Sequence, residues 1–272
     1  MVNIKVVLCA LVASLLPLLT QASPFPGLGG PGRYPRRTIA GVSVVDTPLV
    51  RASIQYAREN GDDNVYRHVM RCWLFGTLIL QHNNTLQVTV DAEVHAVALI
   101  LHDLGFDQSP NSTIVTPDHR FEVDGAIAAR KFIRAHPHGR HWEERRVQLV
   151  WDAIALHTEP KFAFFKESEV EVVSKSVNLD FSGPALGVSE DEYAAVLEEF
   201  PRQKDFKETV IRTVSWLCRT KPETTYGKLA VTPMDYNPLT ASDTFMQAYG
   251  EKFVPGYSAV GHRAIDAVLG LP

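Results

Sequence analysis

Four side chains scattered along this 272-residue chain have the types and setting to hold a divalent metal: His68, the adjacent pair His102-Asp103, and Asp180. His68 stands in Tyr66-Arg67-His68-Val69-Met70-Arg71, and Asp180 in Asn178-Leu179-Asp180-Phe181. The pair His102-Asp103 ends the apolar run Val97 to Leu101 and is followed by Leu104-Gly105. Two neighbouring ligating side chains at the end of an apolar run do not suit a solvent-facing groove, but both can reach an ion buried between helices. Two imidazoles and two carboxylates form a mixed N/O set that suits zinc first, with iron, manganese and cobalt as the other fits. Such a set leaves positions for water and substrate; the metal then lowers the pKa of the water and polarises the substrate as a Lewis acid. Taken singly, each residue reads better as a hydrogen-bonded core residue, so the argument rests on their joint order.

The elements that must position these residues read as helices. Thr47–Asn60 has Thr47 as N-cap and Pro48 at the first position. Asn64–Gln81 carries His68 on one face with Cys72, Phe75 and Ile79. Asp91–Leu104 opens on acidic residues at its positive dipole end and finishes at the His-Asp pair. Further helices are read over Phe121–Arg134, Trp142–Leu156 (stopped by Pro160), Val170–Leu179, Ser189–Phe200 with a capping box to Glu192, Asp205–Arg219 and Val260–Leu269. No run of alternating strands is read, and the expected fold is a single all-α domain.

Composition sets outer bounds. Hydrophobic residues make up 45% and charged residues 21%, ordinary for a globular protein, and the net charge of -4 gives no electrostatic reason to expect nucleic acid. The basic tract Arg140 to Arg146 alternates with His141, Trp142, Glu143 and Glu144 and reads as a solvated helix start. Lys5 followed by the apolar Val6 to Leu19 and by Thr20-Gln21-Ala22 reads as a signal peptide over residues 1–22. That makes the protein secreted, with no membrane association once the signal is removed. Residues 23–37, rich in Pro, Gly and Arg, read as an irregular leader, and residues 38–272 as the domain. In an oxidising compartment Cys72 and Cys218 are read either as a disulfide or as two buried thiols. The sequons at Asn83 and Asn111 fit glycosylated surface loops. Thr220 to Tyr257, rich in Pro, Tyr and Thr, reads as an ordered loop with short helices.

The order His68, His102-Asp103, Asp180 resembles the H…HD…D signature of the HD-domain metal-dependent hydrolases. Flanking segments narrow this: Ile39-Ala40-Gly41-Val42, Asp46-Thr47-Pro48-Leu49-Val50, Arg120-Phe121-Glu122-Val123-Asp124-Gly125-Ala126, Ala155-Leu156-His157-Thr158 and Leu179-Asp180-Phe181-Ser182-Gly183. They are similar to the fungal cyanamide hydratase-like branch, over roughly Thr38 to Leu269. The resemblance implies an all-α HD-domain bundle around a central metal, with His68, His102, Asp103 and Asp180 as ligands. It implies a lyase that adds water to a small C≡N compound, cyanamide becoming urea, or to a related nitrile or isonitrile. A second-metal histidine of dinuclear relatives would fall near Phe121-Glu122, where this chain has none. One metal is therefore expected, with His157 positioning substrate or water, and Glu122 and Asp124 as candidate bases. Asp107 reads as a loop residue beyond the helix, and His136 and His138 as solvent-exposed. Trp73, Phe106, Phe121 and Trp151 are candidate pocket walls. Two alternatives stay open: a metal phosphohydrolase acting on nucleotides or phosphate esters, and a secreted metal- or ligand-binding protein without turnover. The expected partner is a small-molecule substrate, with a homo-oligomer left open.

Overall fold

A computed structural model describes residues 34–225 and 252–256. The predicted signal, most of the leader, the predicted C-terminal helix Val260–Leu269 and most of Thr220 to Tyr257 lie outside the described residues.

The chain enters as an antiparallel hairpin, β1 (Arg36–Ile39) and β2 (Val42–Val45), with Ile39 opposite Val42. Ala40 and Gly41 both have positive φ, 49° and 76°, the sign pattern of the two-residue turn whose twist matches paired strands. This corrects the strand-free expectation. Four residues a side is a short alternation, and Ala-Gly is a weaker turn signal than Asn-Gly or Asp-Gly. The first strand also begins inside the segment read as irregular. Val42, Val44 and Val45 are buried, and β2 packs on the helices that carry the site.

The rest is helical, as expected: α1 (Pro48–Asn60), α2 (Asp63–Gln81), α3 (Asn84–Thr89), α4 (Ala92–Leu101), α5 (Phe121–Ala135), α6 (Glu144–Leu156), α7 (Pro160–Ala163), α8 (Ser168–Ser182), α9 (Glu190–Glu199), α10 (Phe206–Thr220) and α11 (Pro222–Thr225). Their caps follow from residue type. Thr47, Asp62, Asn83 and Asp91 accept from backbone N–H groups of α1 to α4, and Ser189 and Glu192 form the predicted capping box.

Helix α4 organises the bundle. Its residues Ala92-Glu93-Val94-His95-Ala96-Val97-Ala98-Leu99-Ile100-Leu101 are apolar on nearly every side, and Glu93 to Leu101 are all buried. A helix without a polar face must be surrounded, and α1, α2, α5, α6 and α8 all pack on it. Helix α8 runs beyond the predicted Leu179, so that Asp180 lies within it. Asn178 and Asp180 are poor helix formers, and packing against α2, α4 and α6 overrides that preference.

Arg146 is taken up structurally. It donates to Asp91 and Glu93 and lies 3.8 Å over the Trp142 ring. Tyr34 donates to the same Asp91, tying the chain entry to the start of α4. Cys72 and Cys218 are both buried, and neither is in a disulfide. Asn83 and Asn111 are exposed, His138 is exposed and His136 half-buried. Among the described residues, no helix is long and apolar enough to cross a membrane.

Candidate metal centre

His102 and His157 are placed by the same local device. Each is the C-cap of a helix, α4 and α6 respectively. The Nδ1 of His102 donates to Leu99 O at 2.8 Å, and that of His157 to Ile154 O at 2.7 Å. His68, on α2, turns its Nδ1 to Asp180 Oδ2 at 2.6 Å. An imidazole whose Nδ1–H is held by an oxygen presents a bare Nε2 lone pair, the tautomer that ligates metal. The helix ends add to this, because the C-termini of α4 and α6 bring partial negative charge towards a cation.

The bare nitrogens converge. His68 Nε2 and His102 Nε2 are 3.3 Å apart, and Asp103 Oδ2 lies 3.5 Å from the first and 3.4 Å from the second. Two lone pairs face each other at hydrogen-bond distance with no proton assigned between them, an arrangement that a cation relieves. Donors about 2.0–2.1 Å from a tetrahedral metal lie roughly 3.3–3.4 Å from one another, so these spacings fit a metal ion. His157 Nε2 lies 3.6 Å from the other oxygen, Asp103 Oδ1, and His102, Asp103 and His157 form one compact, buried donor group. The structure thus brings His157 into the cluster itself. Cys72 Sγ is also close, 3.6 Å from both nitrogens of His68, and with His68 and His102 it forms a second compact, buried donor group.

Burial sets the charges. It pushes His102 down to about 4 and His157 well below the ordinary histidine value, where the neighbouring His102 adds to the effect. Both rings are neutral at pH 7 and ready to donate lone pairs. Burial lifts Asp103 to about 7, against the opposing pull of His68. A buried carboxyl holds its proton more tightly than one in water, and a cation bound beside it would favour the ionised form and take the proton's place.

Asp180 stands behind His68. Arg71 grips it from Nε to Oδ1 and from Nη2 to Oδ2, both at 2.7 Å, and Arg202 Nη2 reaches Oδ1 at 3.1 Å. Burial alone would raise Asp180, but the hydrogen bonds from His68 and Arg71 outweigh it and hold it well below the usual carboxylate range. Arg71 also donates to Phe200 O, so a fully buried guanidinium links α2, α8 and the end of α9. Sequence reasoning missed Arg71. The available signal was a charged residue on the apolar side of α2, one turn from His68, since a buried arginine is nearly always paired. Replacing Arg71 with Met is expected to loosen His68 and weaken metal affinity about 10–100-fold, measured by competition with a chromogenic chelator. Unchanged affinity would show that Asp180 orients His68 without it.

Asp124, expected as a base, is committed elsewhere. It accepts from Thr116 N and Oγ1, both at 2.9 Å, from His119 at 3.2 Å and from the buried Lys221. It therefore joins the loop before α5 to the end of α10. Glu122 is fully buried and accepts from Arg120 at 2.7 Å and from Thr158, the residue after His157. It braces the turn that presents His157. Asp107 accepts from Ser109 N within its loop. Of the candidate walls, Phe121 lies 5.6 Å from His157 and stacks on Phe106 at 4.2 Å. Trp73 is sealed in the core and Trp151 lies under Arg130. Phe181, 5.3 Å from His68, was missed.

None of the curated proteins searched matches the chain. Residues 65–180 match the family of the HD domain. The matched stretch begins three residues before His68 and ends on Asp180, so it spans the donor cluster and the carboxylate behind it. It supports metal-dependent hydrolase or lyase chemistry at this centre. Over this stretch, which is less than half of the chain, the protein is similar to the HD domain, and its helical bundle around a buried His/Asp group accords with that similarity.

Proposed function

We propose that this chain is a metal-dependent hydro-lyase that adds water to a small C≡N compound, cyanamide or a related nitrile or isonitrile. One observation carries the metal: the Nε2 atoms of His68 and His102 meet Asp103 at the mutual spacing of ligands, each ring locked in the ligating tautomer. His157 is the natural further donor. Asp180 with Arg71 orients His68, and Glu122 with Thr158 orients His157.

When bound, a divalent cation supplies a water of lowered pKa and polarises the substrate. The protein's own groups hold the reactants. In the hydration of R–C≡N the water oxygen bonds to carbon as one π pair moves to nitrogen and takes up one proton, giving R–C(OH)=NH; the O–H bond then breaks, its pair forms C=O, and the second π pair moves to nitrogen and takes up the other proton. The product is R–C(=O)–NH2, which is urea when R is an amino group.

A neutral substrate is supported by how the nearby arginines are used. Arg71 and Arg202 are both spent on Asp180, and Arg120 on Glu122 and Glu159. A phosphate ester would ask these groups for charge they already give to carboxylates. The phosphohydrolase reading is favoured by the HD-domain match itself, and Arg120, partly exposed, is the side chain it would use. Secretion under a cleaved signal over residues 1–22 is part of the same proposal.

The deciding experiment combines elemental analysis of the purified protein with a urea assay on cyanamide and amide assays on simple nitriles. About one divalent transition metal per chain with hydrated product is the expected result. Metal with hydrolysis of phosphate esters and no hydration would favour the phosphohydrolase. Metal with neither activity would favour a binding protein.

A further inference from the structure

Two buried donor groups meet at the centre and share His102. One is His102 with Asp103 and His157; the other is His68 with Cys72 and His102, one donor atom of each lying within 4.8 Å of the others. Asp180, the last carboxylate of the signature, belongs to neither group. Its Oδ1 accepts from Arg71 and Arg202 and its Oδ2 from Arg71 and His68, so both oxygens are committed behind His68. Cys72 stands four residues after His68 on α2. Side chains at that spacing share one helix face, and a helix can offer two such ligands to a single ion. Cys72 Sγ is 3.6 Å from His68 Nε2. Sulfur at about 2.3 Å and nitrogen at about 2.0–2.1 Å from a tetrahedral ion lie roughly 3.5–3.6 Å from one another. Sγ is equally close to Nδ1, so ligation draws it along the ring towards Nε2, a movement about the single side-chain torsion of a cysteine. No disulfide holds the sulfur elsewhere.

We infer that Cys72 is a further ligand of the metal, binding as a thiolate beside His68, His102 and Asp103, and that it makes the centre select zinc over manganese. This rests on the metal part of the reading above and on no part of its substrate. The cation takes the place of the thiol proton, which passes to solvent. Imidazole and carboxylate alone suit manganese and iron as well as zinc, whereas a thiolate favours zinc. Two short stretches then hold the ion: α2 supplies His68 and Cys72, and the end of α4, which packs on α2, supplies His102 and Asp103. Asp180 keeps its place behind His68 as a positioning residue.

The test is the absorption spectrum of the full chain, freed of metal with a chelator and titrated with Co(II). Thiolate ligation gives a sulfur-to-cobalt charge-transfer band in the near ultraviolet, separate from the visible d–d bands that any ligand set produces. The wild type is expected to show both. Cys72→Ser and Cys72→Ala should keep the d–d bands and lose the sulfur band. A Cys9→Ser/Cys218→Ser variant, whose only thiol is Cys72, should keep both, and it assigns the sulfur even where a substitution at Cys72 disturbs the fold. In competition with a chromogenic chelator, Cys72→Ser should lose at least the roughly 10–100-fold in zinc affinity that removal of an outer partner costs, with manganese affinity little changed. Cobalt d–d bands without a sulfur band in the wild type make Cys72 a small apolar core residue, which overturns the inference and leaves the metal centre standing. A sulfur band that survives in Cys72→Ser overturns it as well. No bound cobalt overturns both the inference and the metal centre.

Discussion

His102→Ala is expected to yield a folded, metal-free protein whose activity falls by roughly 10³-fold or more, because the cation supplies several kcal/mol of transition-state stabilisation. His102 has the largest leverage of the donors. Its Nε2 is the nitrogen that lies beside both His68 and Asp103, and its ring also meets His157 edge-on at 4.8 Å. The residue is the C-cap of α4, where alanine is tolerated, and Nδ1 bonds only to a carbonyl of its own helix. Elemental analysis and circular dichroism separate loss of metal from loss of fold. His157→Ala tests the neighbouring donor by the same readout. Reduced metal content would make it a ligand, whereas full content with slow turnover would make it the positioning residue that the sequence suggested. Full activity of His102→Ala without metal would sink the mechanism.

Gly105→Ala should be the most damaging single methyl group near the site. Gly105 lies in the short 3-10 turn Leu104–Phe106 that follows Asp103. A Cβ there would fall well inside contact distance of the Phe121 carbonyl, and its nearest neighbours are all backbone atoms of Phe121. A clashing side chain can rotate away, but the first residue of α5 cannot. Either the turn holding Asp103 or the start of α5 must move. Overpacking of this kind costs about 3 kcal/mol, which for a domain of this size lowers Tm by roughly 6–12 °C. Displacing Phe121 also disturbs the ring that abuts His157, so metal affinity should fall together with Tm. Differential scanning calorimetry with and without a chelator measures both. A Tm unchanged within a degree or so would mean that the turn shifts freely and that the close approach of Gly105 to α5 has no structural role.

The helices were legible because their signals are local. Thr47-Pro48, Asp91 before an apolar run and Ser189 with Glu192 each mark a start within a few residues, and the structure places caps at all three. The all-apolar sides of α4 announced a central helix. The hairpin escaped because four-residue strands joined by Ala-Gly are stabilised by what their valines pack against, not by their own pattern. Asp124 and Glu122 looked alike in sequence, two acids in one helical turn, and their partners lie far along the chain: Lys221 for one, Thr158 for the other.

The sequence by itself determined that this protein is a helical bundle with His68, His102, Asp103 and Asp180 at or near helix ends or on buried faces, because apolar periodicity and capping residues act over one or two turns. It also determined the chemical types available to a metal. Only the tertiary structure decided which nitrogen of His68 faces inward, that His157 joins the cluster, and that Asp180 is gripped by Arg71 and Arg202 behind His68. His68 is oriented by Asp180 and Asp180 is gripped by Arg71, partners 112 and 109 residues apart, and the burial that makes each unpaired charge costly comes from the whole bundle; no local pattern encodes either.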